Sequence, residues 1–314
     1  MTMACNGEKN STNRSLLLTG ASGLLGRALY AYFSSKEWDV TGVAFSRAGG
    51  ENNLVKVDLN DGVAVKELVN RVKPSLIIHS AAMRFPDQIE SNYDAAVNLN
   101  VNSTRELAEQ AKLLNIPMLY ISTDYVFDGK DSPYSENSKP NPINKYGCTK
   151  LQGEEATLKT SPQNMVLRIP TLYGPVQSLT ESAITCLLPI LKDKEKPCQV
   201  SDYEVRFPTH VFDIALVCFS LCGKKLEDGA AVSGIYQFAA KEGMTKYESL
   251  LAMAEVFDLP HDHIRPEKAA MGGATRPYKC EMSSQRLLDL GIGSHGIIRF
   301  KDGIFHALQV HAEK

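Results

Sequence analysis

Apolar and polar positions along the chain follow two periods. Short apolar runs recur at Leu16-Leu17-Leu18, 39–45, 54–57, 75–79, 118–121 and 234–238, bounded by Gly, Pro, Ser or Asp. Their length and flanks predict buried strands. Between them, apolar residues return every three or four positions. Val65, Leu68, Val69 and Val72 form one such stripe, closed by Pro74, and Leu99, Leu107, Ala108, Ala111 and Leu114 mark the inner side of a long helix. Further on, Thr245-x-x-Glu248 is a capping box that opens a helix with Leu250, Leu251, Ala254 and Phe257 inward, and Pro260 ends it. Strand and helix alternate, which predicts an α/β protein built on a doubly wound parallel sheet. The pattern divides the chain into a polar, disordered tail over 1–13, a sheet domain over 14–172 and 209–240, and a smaller α/β lobe over 173–208 and 241–314.

Composition narrows the class. The chain has 314 residues, 43% hydrophobic and 22% charged, enough for one large core and a smaller second one. A net charge of −2 gives no electrostatic case for nucleic acid or an anionic membrane surface. Seven cysteines, with no Cys-x-x-Cys pair and no His cluster at ligand spacing, predict free thiols in a reducing compartment and no metal site. Cys218 and Cys222 fall on a buried helix and read as core. No apolar stretch is long enough to span a bilayer and the start lacks an apolar signal core, which predicts a cytosolic protein.

The first strand runs into Thr19-Gly20-Ala21-Ser22-Gly23-Leu24-Leu25-Gly26 and then an amphipathic stretch. Three glycines spaced three apart between strand and helix suit a dinucleotide. Gly20 takes the turn, Gly23 lets the main chain approach a pyrophosphate, and Gly26 lets the helix lie on the strand. Free N–H groups and the helix dipole then face the phosphates. Thr19, Gly20, Ser22, Gly23, Leu24, Leu25 and Gly26 are therefore candidate cofactor residues. The second strand delivers Ser46 and Arg47 to the adenosine ribose. No acid stands there to take a 2′-hydroxyl, whereas Arg47 can pair with a 2′-phosphate, which favours NADP over NAD. A solvated loop arginine is the alternative. Asp58 and Leu59 are placed to bracket an adenine, although Asp58 equally suits a helix cap. Ser80, Ala81 and Ala82 are small enough for a ribose to lie against the backbone. His79, inside an apolar run, reads as a satisfied core histidine.

Candidate chemistry follows the strand at 118–121. Thr123 stands at its end, and Tyr146 and Lys150 share one helix face four residues apart. A lysine ammonium favours the charged form of a neighbouring phenol and can hold a ribose hydroxyl, while the Thr123 hydroxyl shares a carbonyl oxygen with Tyr146. Such a set protonates a ketone as hydride arrives from a nicotinamide. Arg168, Arg206 and Arg276 each lie near a proline in an expected loop over the nicotinamide end; they read either as forks for an anionic ligand or as salt-bridged surface.

On the glycine loop and the Tyr146/Lys150 pair, the sequence resembles the extended short-chain dehydrogenase/reductases, with a Rossmann-type sheet. On Ser122-Thr123-Asp124-Tyr125-Val126-Phe127-Asp128-Gly129 it resembles their dTDP-4-dehydrorhamnose reductase branch. That resemblance implies Thr123, Tyr146 and Lys150 as a catalytic set acting with NADPH on a 4-keto sugar nucleotide. Within the branch it is similar to the β-subunit family of methionine adenosyltransferases, on Arg168-Ile169-Pro170-Thr171-Leu172-Tyr173-Gly174, Arg206-Phe207-Pro208-Thr209-His210-Val211, Met244-Thr245-Lys246-Tyr247-Glu248 and Leu290-Gly291-Ile292-Gly293. This second likeness implies an NADP-binding, non-catalytic regulatory subunit that joins the catalytic α subunit of methionine adenosyltransferase in a hetero-oligomer and alters S-adenosylmethionine synthesis. Relatives of this kind keep the tyrosine and lysine, so the dyad alone does not establish turnover. The end of the chain, Phe305 to His311, reads as a short, weakly apolar tail that departs from the better-known animal forms, whose tail helps engage the catalytic subunit. Two other readings stay open: a working NADPH-dependent reductase, and an NAD-retaining epimerase or dehydratase, the latter weakened by Arg47 in place of an acid.

Overall fold

The computed structural model describes residues 14–47, 54–228, 231–293 and 297–312, so the tail expected over 1–13 lies outside the described residues. The first half alternates as the apolar runs require: β1 (Ser15–Thr19), α1 (Leu24–Ser35), β2 (Asp39–Ala44), β3 (Val55–Lys56), α2 (Gly62–Val72), β4 (Leu76–His79), α3 (Pro86–Ser91), α4 (Tyr93–Val97), α5 (Ser103–Leu113), β5 (Met118–Thr123), α6 (Lys145–Thr160) and β6 (Met165–Ile169). The second half holds β7 (Leu172–Tyr173), α7 (Leu188–Lys192), β8 (Cys198–Ser201), β9 (Thr209–His210), α8 (Val211–Asp228), β10 (Gly234–Gln237), α9 (Lys246–Phe257), β11 (Ile264–Glu267), α10 (Gln285–Asp289) and α11 (Phe300–Ala312).

Seven strands form one parallel sheet in the order β3-β2-β1-β4-β5-β6-β10, and β10 joins β6 as expected. The order reverses between β1 and β4, and a crevice opens there beyond the carboxyl ends of the strands. One face of the sheet is covered by α1 and α8, whose Leu25, Leu29, Phe33, Ile214, Cys218 and Leu221 pack on Leu16, Leu18 and Ile78. On the other face, Val65, Leu68 and Val69 of α2 and Leu107, Ala108 and Ala111 of α5 pack on Leu17 and Ile77. All six cysteines among the described residues are free. No helix among the described residues is long and apolar enough to cross a membrane.

Local chemistry sets the boundaries. Asp61, not Asp58, caps α2 by accepting from the Val63 and Ala64 N–H groups, and Lys73 ends the helix at φ 46° just before Pro74. The helix expected through Leu99 is interrupted by a π-helical segment, Asn98–Asn102. This turns the buried Asn100 side chain inward, where it bonds both the N–H and the C=O of Met83 and the Thr149 hydroxyl. Asn100 thereby ties the segment after β4 to α6.

A second core gathers Leu187, Leu188 and Leu191 around α7, Val200 of β8, Leu250, Met253 and Ala254 of α9, and Ile264 of β11. The Thr245/Glu248 capping box of α9 is present, although Met253 takes the fully buried place expected for Leu251. The terminal stretch, expected as a short, weakly apolar tail, is instead helical. It belongs to α11, whose Phe300, Ile304, Ala307 and Leu308 are buried in this core at helical spacing, leaving Phe305 and Val310 outward.

Candidate functional site

The crevice at the β1/β4 switch is a cleft of about 640 Å³. Its floor depends on glycine. Gly20 sits at φ +69°, and a Cβ there would lie 2.8 Å from the Ala81 nitrogen; a Cβ on Gly26 would fall 2.0 Å from the Gly20 carbonyl oxygen. The first turn of α1 is thus seated directly on the β1 turn, and its N-cap, Gly23, offers no side chain to its N–H groups. This bare helix start, with no Cβ in its way, fits a pyrophosphate.

Around that floor the cleft brings together most of the candidate residues: Gly20, Ser22, Gly23, Leu24, Leu25 and Gly26 from the loop, Ser46, Arg47, Asp58 and Leu59 at one end, and Ser80, Ala81 and Ala82 opposite; Thr123, Tyr146 and Lys150 close the far end. Two candidates lie elsewhere. Thr19 is fully buried beneath the loop, where its hydroxyl bonds His79 Nδ1 at 2.7 Å and accepts from the Ala81 N–H. Its role is to join β1 to β4. Arg168 does not stand in a loop: β6 continues through Ile169, in register with Ser122 and Thr123 of β5, and turns the guanidinium under α6. There it forks onto Glu154, Nε to Oε1 at 2.9 Å and Nη2 to Oε2 at 2.7 Å, and lies 5.0 Å from the Phe127 ring centre. It is buried and paired, so no cofactor meets it.

His79 is the core histidine expected. Thr104 gives its hydroxyl proton to the Asn100 carbonyl, so His79 Nε2 donates to Thr104 at 3.0 Å and Nδ1 accepts from Thr19. Burial, and then Lys150, hold the imidazole pKa down at about 3, which keeps it neutral.

At the chemical end, burial pushes the Tyr146 phenol pKa far up; the Thr123 hydroxyl opposes this, while Asp124 and Tyr125 add to it. Lys150 is turned to the Ile121 carbonyl at 2.7 Å and lies 4.0 Å from the Tyr120 ring centre. Burial brings its pKa down to about 7, with Glu154 working the other way. The arrangement therefore favours a neutral phenol, a proton donor and not a phenolate. Asp124 is buried against Thr123, its Oδ1 accepting from the hydroxyl at 3.1 Å, and burial raises its pKa to about 6.

Several residues of the cleft were not singled out from the sequence. Asp124 and Tyr125 belong to the same run as Thr123, and their neighbourhood was the available signal. Arg84 and Glu181 carry no local signal, and Lys246 carries only that of the Met244–Glu248 run, because the three arrive from separate segments. Arg84 and Lys246 line the cleft with Arg206 and Arg276. Arg276 pairs with Asp87 at 2.6 Å. Arg206 donates through Nη1 to the Pro277 carbonyl at 2.8 Å, while its Nη2 is buried without a hydrogen-bond partner. The arginine forks weighed from sequence thus separate: Arg206 and Arg276 reach the cleft, Arg168 does not. Glu181, on a 3₁₀ turn (Leu179–Glu181), meets Arg27 at 2.7 Å and also Arg47. Burial works to raise its pKa, but bonds from Arg27, the Gln177 N–H and Arg47 bring it down to about 2.

A doubly wound sheet with a glycine-floored cleft and a Tyr/Lys helix beside it defines the extended short-chain dehydrogenase/reductase class. The RmlD substrate binding domain family matches residues 14–309, and the chain belongs to that family. It is 42% identical over 302 residues, 96% of this chain and 89% of that one, to methionine adenosyltransferase 2 subunit beta of Bos taurus. It is 30% identical over 240 residues, 76% of this chain and 77% of that one, to dTDP-4-dehydrorhamnose reductase of Aggregatibacter actinomycetemcomitans. The dTDP-4-dehydrorhamnose reductase of Bacillus anthracis, solved in complex with NADP, superposes with a TM-score of 0.79 at 24% identity, covering 96% of this chain and 99% of that one.

Proposed function

We propose that the chain is an NADP-binding regulatory β subunit that associates with the catalytic α subunit of a methionine adenosyltransferase in the cytoplasm and alters S-adenosylmethionine synthesis without catalysing it. The observation that carries this reading is the 42% identity to a methionine adenosyltransferase beta subunit over 96% of the chain, well above the 30% to a reductase over 76%. The cleft supports the cofactor part. The glycine floor and the bare start of α1 would hold the pyrophosphate, Ala81 and Ala82 the nicotinamide ribose, and Arg47 a 2′-phosphate. When bound, the dinucleotide supplies hydride chemistry. The chain's own contribution is a neutral Tyr146 phenol beside Thr123 and a lysine near pH 7 in its protonation balance. Affinity purification of the chain from its own cells tests the assignment: a methionine adenosyltransferase catalytic subunit is expected to come down with it, and its repeated absence would refute the reading.

A second reading, NADPH-dependent reduction of a 4-keto sugar nucleotide, is favoured by one specific feature. Arg84, Arg206 and Lys246 line the same cleft as Thr123 and Tyr146, and the Arg206 Nη2 is buried without a partner. An anionic ligand would satisfy that group.

A further inference from the structure

Two guanidiniums, Arg27 and Arg47, meet one carboxylate, Glu181, at the adenosine end of the cleft. Glu181 accepts from Arg27 twice, Nη1 to Oε1 at 3.1 Å and Nη2 to Oε2 at 2.7 Å, from Arg47 Nη1 on Oε1, and from the Gln177 N–H at 3.0 Å. Arg84 is within electrostatic reach of both Glu181 and Arg47. Glu181 comes from the segment after β7, so this contact crosses from the second half of the chain to α1 and the end of β2.

The two arginines are held unequally. Arg27 is only 18% exposed and also donates to the Ser22 carbonyl at 2.9 Å, so it is anchored to the glycine loop. Arg47 is 51% exposed and has Glu181 as its one ion-pair partner among the described residues. Swinging Arg47 away from Glu181 costs little, because Arg47 is half exposed and solvent screens its side of the pair. What would draw it away is a denser anion. A phosphate monoester presents about two charges and three acceptor oxygens to a guanidinium fork, whereas a ribose hydroxyl presents no charge and a single acceptor oxygen. Glu181 would then keep Arg27 and the Gln177 N–H, with Arg84 nearby, so the exchange leaves no buried charge alone.

Resting on the NADP reading above, we propose that Glu181 is an internal stand-in for the cofactor's 2′-phosphate: it occupies Arg47 until that phosphate takes the arginine, and so moderates the preference for NADP over NAD. The pyrophosphate, common to both dinucleotides, plays no part in the exchange. Before the phosphate arrives Glu181 competes for Arg47 and lays negative charge beside its path. Removing its charge therefore strengthens binding of 2′-phosphorylated ligands selectively.

The test is titration calorimetry of the full chain, wild type and Glu181→Gln, with NADP, NAD, 2′,5′-ADP and 5′-AMP. The variant is expected to tighten NADP and 2′,5′-ADP about fivefold and to leave NAD and 5′-AMP within about twofold. Equal tightening of all four, or weaker NADP binding, would overturn the proposal. Wild-type hydrogen exchange gives an arm that does not depend on the variant folding. NADP at saturation is expected to speed exchange over residues 176–182 relative to NAD, and identical exchange with the two would also overturn it. A wild type that binds neither dinucleotide would instead refute the nucleotide-binding reading itself, and this inference with it.

Discussion

Glu154 holds two groups that the sequence scatters: it takes the Arg168 fork and the Ser122 hydroxyl, all three buried between β5, β6 and α6. Removing it strands a charge in a dry interior. Glu154→Leu is expected to cost about 3–5 kcal/mol of stability in urea unfolding, and a loss under about 1 kcal/mol would contradict the buried pairing. Asp124 provides a pH signature. Its pKa is about 6 in the folded chain and about 3.9 when unfolded, so the folded state binds the proton more tightly. That contribution is fully present below about pH 4 and is lost as pH rises through 6. Relative to Asp124→Asn, the wild type should therefore lose about 2–3 kcal/mol between about pH 4 and pH 7; a constant difference across that range would show that Asp124 is not buried as described. At this scale the glycine loop, Thr123 and the Tyr146/Lys150 pair were legible in the sequence, because each depends on neighbours within a few residues. Arg168 and Glu181 were not. A charged residue's role is set by a partner, and Glu181 lies 154 residues from Arg27.

Among the elements, the seat of α1 on β1 decides the shape of the cleft. With only 2.0 Å between a Gly26 Cβ and the Gly20 oxygen, which is a backbone atom, no side-chain rotation relieves the clash. Gly26→Val is expected to lower the melting temperature by several degrees and NADP affinity by at least tenfold, as overpacking costs about 1–3 kcal/mol. Normal binding with an unchanged melt would show that this contact does not set the cleft. The strands and α2 could be read from periodicity, since each carries its own apolar pattern and caps. The π-helical break at Asn98–Asn102 could not be read, because Asn100 is drawn inward by Met83 and Thr149, groups brought near only by the fold. The helix α11 was missed for a related reason. Its stripe begins at Phe300 and Ile304, and the stretch from Phe305 onward shows little of it.

For the whole molecule, the proposed function makes a reductase scaffold a nucleotide-binding partner subunit. Tyr146 separates this from the reductase reading, because its hydroxyl can be removed while its ring stays. The most direct measurement adds the purified chain, wild type and Tyr146→Phe, to a purified methionine adenosyltransferase catalytic subunit, following complex formation and S-adenosylmethionine synthesis with NADP present. NADPH oxidation with a dTDP-4-keto sugar is assayed in parallel. A stable complex and an altered rate of S-adenosylmethionine synthesis, both the same for the two forms, are expected. The proposed function would be contradicted by no complex together with brisk NADPH oxidation that falls about 10²–10⁴-fold in Tyr146→Phe, the usual worth of a positioned acid.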